Sequence, residues 1–497
     1  MSQSSISGRP LSQDQIPLDD FARERAANLA RWETGSGVDL ERAVERHLQL
    51  PIHKQLAPVM RAAVADGRCL TQPRGGVGTL AEHCQLVRSL ANEGMADIVP
   101  TTTDSYTRNE RWQEAAKGIE ASKAASRSML NGFPIVNYGV QSCAEIIDGI
   151  ERPAIVLSGT AMPKLTSEIA IAAGFTGYLG SAIAYTVSYT KEVSIEEGIR
   201  NYQYLDRLTA LYAEKGVELH RRHPGFLTGT IVPPSIAISV CVLDALLAAA
   251  QGVRHYGLEL GQTLNLIQDA ASIAACQEIC QHYLVAAGYS DVFTPMISLH
   301  WMGAWPEDEA QAAALVVYGG TVAAVGGATV VVTKSTHEAI GIPTSKANAE
   351  GLRMTRMALY LARSIKLTGH PDYEREKDFI KQEVRAIVDK ALEMGNGDAA
   401  LGAVRAIEAG VLDIPWSPSR FVKSRVMPAR DVEGYLRIVD PAAMPFPKDI
   451  LEFHRERLAR QAEKTGEQFG VNLSIKSVFE MSETLQTLMP ALDMSNF

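Results

Sequence analysis

Residues 312–333, AAALVVYGGTVAAVGGATVVVT, carry no charge over a length that can span a bilayer. Their composition points elsewhere. Gly319-Gly320 and Gly326-Gly327 interrupt the run, and the β-branched residues 329–333 after the second pair have the character of a short strand buried on both faces. The segment reads as a small-residue helix, a turn and a parallel strand. The other long apolar stretch, 231–250, contains Pro233, Pro234 and Asp244 and reads as a turn followed by a helix. No membrane span is expected, and the opening MSQSSISGRPLSQDQ has no apolar core behind a basic start, so the chain is expected to be cytoplasmic.

Outward from this segment the same alternation recurs. Candidate strands fall at 69–73, 97–101, 134–138, 154–157, 176–179, 226–231, 255–260, 291–297 and 329–333, with amphipathic helical text between them at 80–94, 166–173, 195–216 and 307–318. Strands this apolar are covered on both faces, which means a parallel sheet. Nine candidates for eight places, with no G-x-G-x-x-G turn after any of them, predict an α/β (β/α)₈ TIM barrel with one element misread. The barrel is expected over 65–366. Residues 1–64, helical at 40–48, form an N-terminal extension. Residues 367–497 form a C-terminal one, with helices at 377–394 and 448–464 around the Pro-rich connector WSPSRFVKSRVMPARD.

Composition narrows the function. Of 497 residues, 46% are hydrophobic and 21% charged, and 48 Lys and Arg against 57 Asp and Glu leave a net charge of −9. A mildly acidic globular chain does not offer nucleic acid or an anionic membrane a basic surface. The six cysteines are too few for a disulfide scaffold, and Cys276 and Cys280, four apart on one helix face, read as small buried hydrophobes because no second ligand pair has zinc spacing.

In such a barrel, reactive groups sit at the carboxyl ends of the strands. The first candidate strand ends in Gln72-Pro73-Arg74 before a glycine turn, and the second runs into Thr101–Arg108, TTTDSYTR, so two guanidinium forks stand near one rim, suited to a carboxylate or phosphate. Tyr185 and Tyr189 follow the fifth candidate, where they either orient a substrate or pack a loop. After the last strand, His337-Glu338 lacks the second histidine of a zinc helix, because position 341 is Gly. Lys334 and Glu338 supply a donor and an acceptor about one helical turn apart, suited to a ribose. The residues alone reach a barrel with a cationic mouth.

Long, ordered stretches also resemble the large catalytic (epsilon) subunit of the glutamate mutase, or methylaspartate mutase, family. These are TQPRGGV (71–77), TTTDSYTR (101–108), LNGFPIVNYGV (130–140), LTGTIVPPS (227–235), NLIQD (265–269), HWMGAWPEDE (300–309), THEAIGIPTSKAN (336–348) and LDIPWSPSR (412–420). The resemblance implies a (β/α)₈ barrel and an isomerase that rearranges a carbon skeleton by radical chemistry with adenosylcobalamin. In the family a separate small subunit holds the cobalamin through Asp-x-His-x-x-Gly, which this chain lacks, so a small cobalamin-binding partner is implied, as is a homodimer of large subunits. By position, Arg74 and Arg108 match two of three substrate-gripping arginines. Tyr185 and Tyr189 match the catalytic substrate-side tyrosines, Lys334 and Glu338 the pair at the adenosyl ribose, and Thr228 a segment lining the cofactor.

The departures lie on the substrate side. Leu157 stands where the family has its third arginine, Leu179 where it has a glutamate near the substrate amine, and Leu299 where it has a histidine, with His300 in the place of a glutamine. Glutamate's second carboxylate or its ammonium against leucine would lose roughly 10²–10³-fold in affinity. The substrate expected is therefore a carboxylic acid less polar than glutamate. Genuine glutamate mutase activity with a rebuilt pocket, a non-catalytic binding or regulatory relative, and a cobalamin-free barrel lyase using Lys334 are the alternatives. Arg222 is one candidate for rebuilding the pocket, although it reads more readily as a solvated helix-end cation.

Overall fold

A computed structural model describes residues 9–225, 231–341 and 343–486. Eight short parallel strands form one sheet: β1 (Leu70–Gln72), β2 (Val99–Thr102), β3 (Ala154–Leu157), β4 (Gly177–Leu179), β5 (His220–Arg222), β6 (Tyr256–Gly261), β7 (Met296–Leu299) and β8 (Val330–Val332). Each pairs with its neighbour in sequence from β2 to β8, and β8 returns to pair with β1. The ring closes where the Thr71 carbonyl accepts hydrogen bonds from the Asp97 and Ile98 amides, at 3.0 and 3.2 Å. The architecture is the expected (β/α)₈ barrel.

The deciding segment folds as read, with one refinement. The helix Glu309–Gly326 runs through Gly319-Gly320 and ends at Gly327, which takes φ 74° before β8. The first glycine pair serves packing instead of breaking the helix. A Cβ on Gly319 would lie 2.4 Å from the His300 ring, and one on Gly320 would lie 2.8 Å from Ala358 of the helix Ser345–Ala362. Among the described residues, no helix is long and apolar enough to cross a membrane.

Two strand assignments change. The candidate at 134–138 is the start of the helix Ile135–Asp148, with Pro134 at its N-cap, and only a single bridge from Phe133 to Thr103 remains extended. Proline at a helix start forfeits no hydrogen bond, so the apolar text after it could turn helical. The candidate at 226–231 falls outside the described residues except for Ile231, which is not in a strand. The fifth strand is instead His220-Arg221-Arg222, polar text that the apolar criterion passes over. It is wholly buried because every member is paired. His220 Nδ1 meets His255 Nδ1 at 2.9 Å. The Arg221 guanidinium binds Asp206 and the carbonyls of Tyr178 and Gly180 at 2.6–2.8 Å.

The flanking segments are tied to the ring by buried polar contacts. Gln251 holds the Gln13 and Asp14 carbonyls and the Ile16 amide at 2.9 Å, and Arg25 grips buried Glu168 at 2.9 and 3.0 Å. After the barrel, Glu376 on the helix Pro371–Met394 receives both nitrogens of Arg437 at 2.7 and 2.8 Å. Arg437 lies in a hairpin of β9 (Met427–Arg430) and β10 (Leu436–Asp440) that the sequence reading did not anticipate. The other helix forecast there runs Lys448–Thr465.

Burial holds several histidines neutral: His83, His255, His300 and His454 are pushed down to about 3 and His47 to about 4. Such groups stabilise the fold fully above pH 6.5 and progressively less as pH falls, because the unfolded chain takes up the protons. Glu383, 5% exposed and facing Ser235, His454 and the Arg437–Glu376 pair, is raised by burial to about 8, so its contribution declines as pH rises from 4.5 to 8. Thermal melts should therefore peak near neutrality and fall toward pH 5. Glu383→Gln should raise the midpoint more at pH 9 than at pH 6; equal shifts at both would contradict this account.

Candidate functional site

The carboxyl ends of the strands enclose one cavity, and every strand contributes one residue to its lining: Gln72 and Thr102 from β1 and β2, Leu157 and Leu179 from β3 and β4, Arg222 and Glu259 from β5 and β6, and Leu299 and Val332 from β7 and β8. The register explains why they meet. Thr102, Leu157, Leu179 and Arg222 are successive pairing partners, and Leu299, Val332 and Gln72 are likewise level. Around the ring the lining therefore alternates in adjacent pairs, polar and apolar. The three leucines are each 7% exposed, unlike barrel residues such as Ile155 and Val156 at 0%, because they face the cavity.

Across the barrel runs a polar bar. Arg222, fully buried, donates from Nη1 to Gln72 Oε1 at 2.7 Å, reaching from β5 to β1 on the far side. Its Nη2 binds Glu259 Oε2, and Glu259 Oε1 accepts from the Gly225 amide at 2.9 Å. The reading of Arg222 as a solvated helix-end cation is thus corrected: it ends a buried strand and its charge is matched by Glu259. It is not a free cation for a substrate carboxylate.

Above this layer the segments that follow the strands bring in Arg74, Arg108, Tyr185 and Tyr189, with Gly159, Pro224, Gly225 and Met302. Arg74 Nη1 lies 3.6 Å from Met302 Sδ. Arg108 closes a single helical turn capped by Asp104, and its Nε donates to the Thr103 carbonyl at 2.7 Å. Gly159 takes φ 59°, and a Cβ there would come within 3.0 Å of the Arg108 guanidinium, so this glycine is needed both for its backbone and for room. Tyr185 and Tyr189 follow β4 on the short helix Ala182–Tyr189, not in a loop, with ring centroids 5.1 Å apart and edge to face. Tyr185 is buried and its hydroxyl is held well above the usual phenol range, chiefly by burial, so it stays protonated. Tyr189 stands at the exposed rim.

Lys334 and Glu338 form an ion pair of 2.8 Å in the turn after β8, beside the cavity but not in its lining. Lys334 is also 5.1 Å from the centroid of the Trp305 ring, and burial together with the positive charge of Arg74 lowers its pKa. An adjoining cation, carboxylate and indole, with the nearby buried Thr336 hydroxyl lacking a partner among the described residues, suit a ribose and base. Thr228 lies outside the described residues. The one cluster of potential metal ligands among the described residues is Cys241, Cys276 and Cys280, whose sulfurs lie within 4.8 Å of one another inside the core. Cys241, on the neighbouring helix, is invisible to a search for ligand spacing.

Comparison with known proteins settles the family. The model of the methylaspartate mutase E chain (MutE) matches residues 50–487. The chain belongs to that family. Members of the MutE family are isomerases, carbon-skeleton mutases of the cobalamin-dependent class. Similar curated proteins include the glutamate mutase epsilon subunits of Desulfitobacterium hafniense, 44% identical over 95% of this chain and 98% of that protein, and of Yersinia enterocolitica, 42% identical over 92% and 95%. That of Fusobacterium nucleatum is 30% identical over 95% and 98%. Within this MutE chain, sequence reasoning found the cationic mouth but missed Gln72, Thr102, Glu259 and Val332. Their only signal was position at the end of a strand.

Removing one partner of a buried ion pair costs about 3–5 kcal/mol. Glu259→Gln should lower unfolding stability by about this much in urea titration, whereas a loss below about 1 kcal/mol would mean that Arg222 is already solvated.

Proposed function

We propose that this chain is the catalytic subunit of an adenosylcobalamin-dependent mutase whose substrate is a carboxylic acid less polar than glutamate. The observation that carries this reading is the wall of Leu157, Leu179 and Leu299 lining the same cavity as Arg74 and Arg108. Arg74 and Arg108 hold the single carboxylate through forked, charge-assisted hydrogen bonds. The leucines receive the aliphatic remainder. Tyr185, buried and protonated, donates a hydroxyl toward bound substrate. Lys334 and Glu338 hold the hydroxyls of the adenosyl ribose. When bound, adenosylcobalamin supplies the carbon radical that opens the rearrangement. The protein fixes the substrate's reacting C–H bond, keeps water away and orients the acid. A small cobalamin-binding subunit completes the enzyme, and the large subunits pair as a homodimer.

Leu157 and Leu179 are pairing partners on β3 and β4. Against the family pattern, an adjacent cation and anion have been exchanged together for two apolar side chains, a swap that removes two substrate contacts without stranding a buried charge. The second reading, genuine glutamate mutase, is favoured by 44% identity to a protein of that name.

Reconstitution of the full chain with a small cobalamin-binding subunit and adenosylcobalamin separates them. A less polar acid such as 2-methylbutanoate should elicit an organic radical signal in electron paramagnetic resonance, and glutamate should not. A signal with glutamate alone establishes the second reading, and silence with every acid establishes a binding role. In the double variant Leu157→Arg, Leu179→Glu, glutamate affinity should rise by at least about tenfold; no rise would count against the leucine wall as the cause.

A further inference from the structure

Every oxygen of the polar bar already accepts a hydrogen bond. Gln72 Oε1 is taken by Arg222, and both Glu259 oxygens are taken, one by Arg222 and one by the Gly225 amide. Among the described residues, what remains without a partner in this layer is Gln72 Nε2, Arg222 Nε and the Thr102 hydroxyl, on side chains that are 0, 0 and 9% exposed and line the cavity. Gln72 Nε2 and Arg222 Nε can only donate, whereas the Thr102 hydroxyl can do either, so the pocket floor asks its ligand chiefly for an oxygen and offers an ammonium little.

Charge decides which oxygen. Arg222 and Glu259 cancel, so the floor offers no net positive charge to a second carboxylate. Arg74 and Arg108 stand in the loops above, where one carboxylate suffices for them.

The geometry points to a subsite at Gln72 and Thr102, backed by Arg222, for a neutral carbonyl oxygen, so that the substrate is a monocarboxylate carrying an amide, ester or ketone carbonyl beside its aliphatic portion. This rests on the mutase reading above and sharpens its substrate class. The subsite sits between two apolar walls, Leu157–Leu179 on one side and Leu299–Val332 on the other, which confine the carbon chain while the carbonyl is read from below.

Four five-carbon acids, differing only at the far end, test it by titration calorimetry on the full chain: pentanoate, glutaric acid monoamide, glutarate and 5-aminopentanoate. The monoamide should bind about tenfold more tightly than pentanoate, glutarate no better than the monoamide, and 5-aminopentanoate most weakly. Gln72→Leu should erase the monoamide's advantage over pentanoate. Gln72→Glu keeps an acceptor for Arg222 while replacing the free donor, and should abolish the preference for the monoamide and improve 5-aminopentanoate. Equal binding of monoamide and pentanoate to the unaltered chain overturns the carbonyl subsite and leaves the less polar acid in place. Glutamate binding where pentanoate fails overturns both. Retention of the tenfold preference in a folded Gln72→Glu chain removes Gln72 from the role.

Discussion

A guanidinium in the middle of a barrel is tolerable only if its charge is answered and its donors are used. Arg222 meets that demand by reaching two other strands at once, Glu259 beside it and Gln72 across the ring. Everything else about the mouth follows from this contact. It sets the level at which side-chain packing stops and the cavity begins, and it divides the opening into two apolar bays. It also holds the ends of β1, β5 and β6 in fixed relation, so the loops carrying Arg74 and Arg108 start from anchored positions.

How far the molecule can be read from its text depends on where each residue's partners lie. The barrel was legible because most strands are buried on both faces and therefore uniformly apolar. The fifth was not: His220, Arg221 and Arg222 are acceptable inside only because His255, Asp206, Glu259 and Gln72, distant in sequence, wait for them. The error at 134–138 has a local cause, since Phe133-Pro134-Ile135-Val136 satisfies the strand pattern while Pro134 equally well opens a helix. At the site, Arg74 and Arg108 were found as charged residues at strand exits. Gln72, two positions earlier, carried no such mark, and only the register of the sheet puts its amide in the cavity. The hairpin of β9 and β10 escaped notice because its anchor, Arg437 between Glu376 and Asp431, is again a contact between remote segments.

The leucines at 157 and 179 gain meaning from their pairing. On the proposed reading, each leucine stands where glutamate would need a charged contact. As register neighbours they form one apolar pair, and an apolar pair in place of a buried ion pair is often neutral or favourable for stability. The ion pair of Lys334 and Glu338 lies in a different turn, after β8. The proposed substrate wall and the proposed ribose site thereby lie on separate parts of one rim.

The two-by-two arrangement of the lining has an evolutionary corollary. Each quarter of the mouth is furnished by two neighbouring strands, and the two apolar quarters make no side-chain hydrogen bond across the ring. An apolar quarter can therefore change character while the polar bar and the backbone pairing stay as they are. Diversification of such a scaffold then proceeds by exchanging facing tiles in pairs, and ancestral pockets are recoverable by reverting the same pairs.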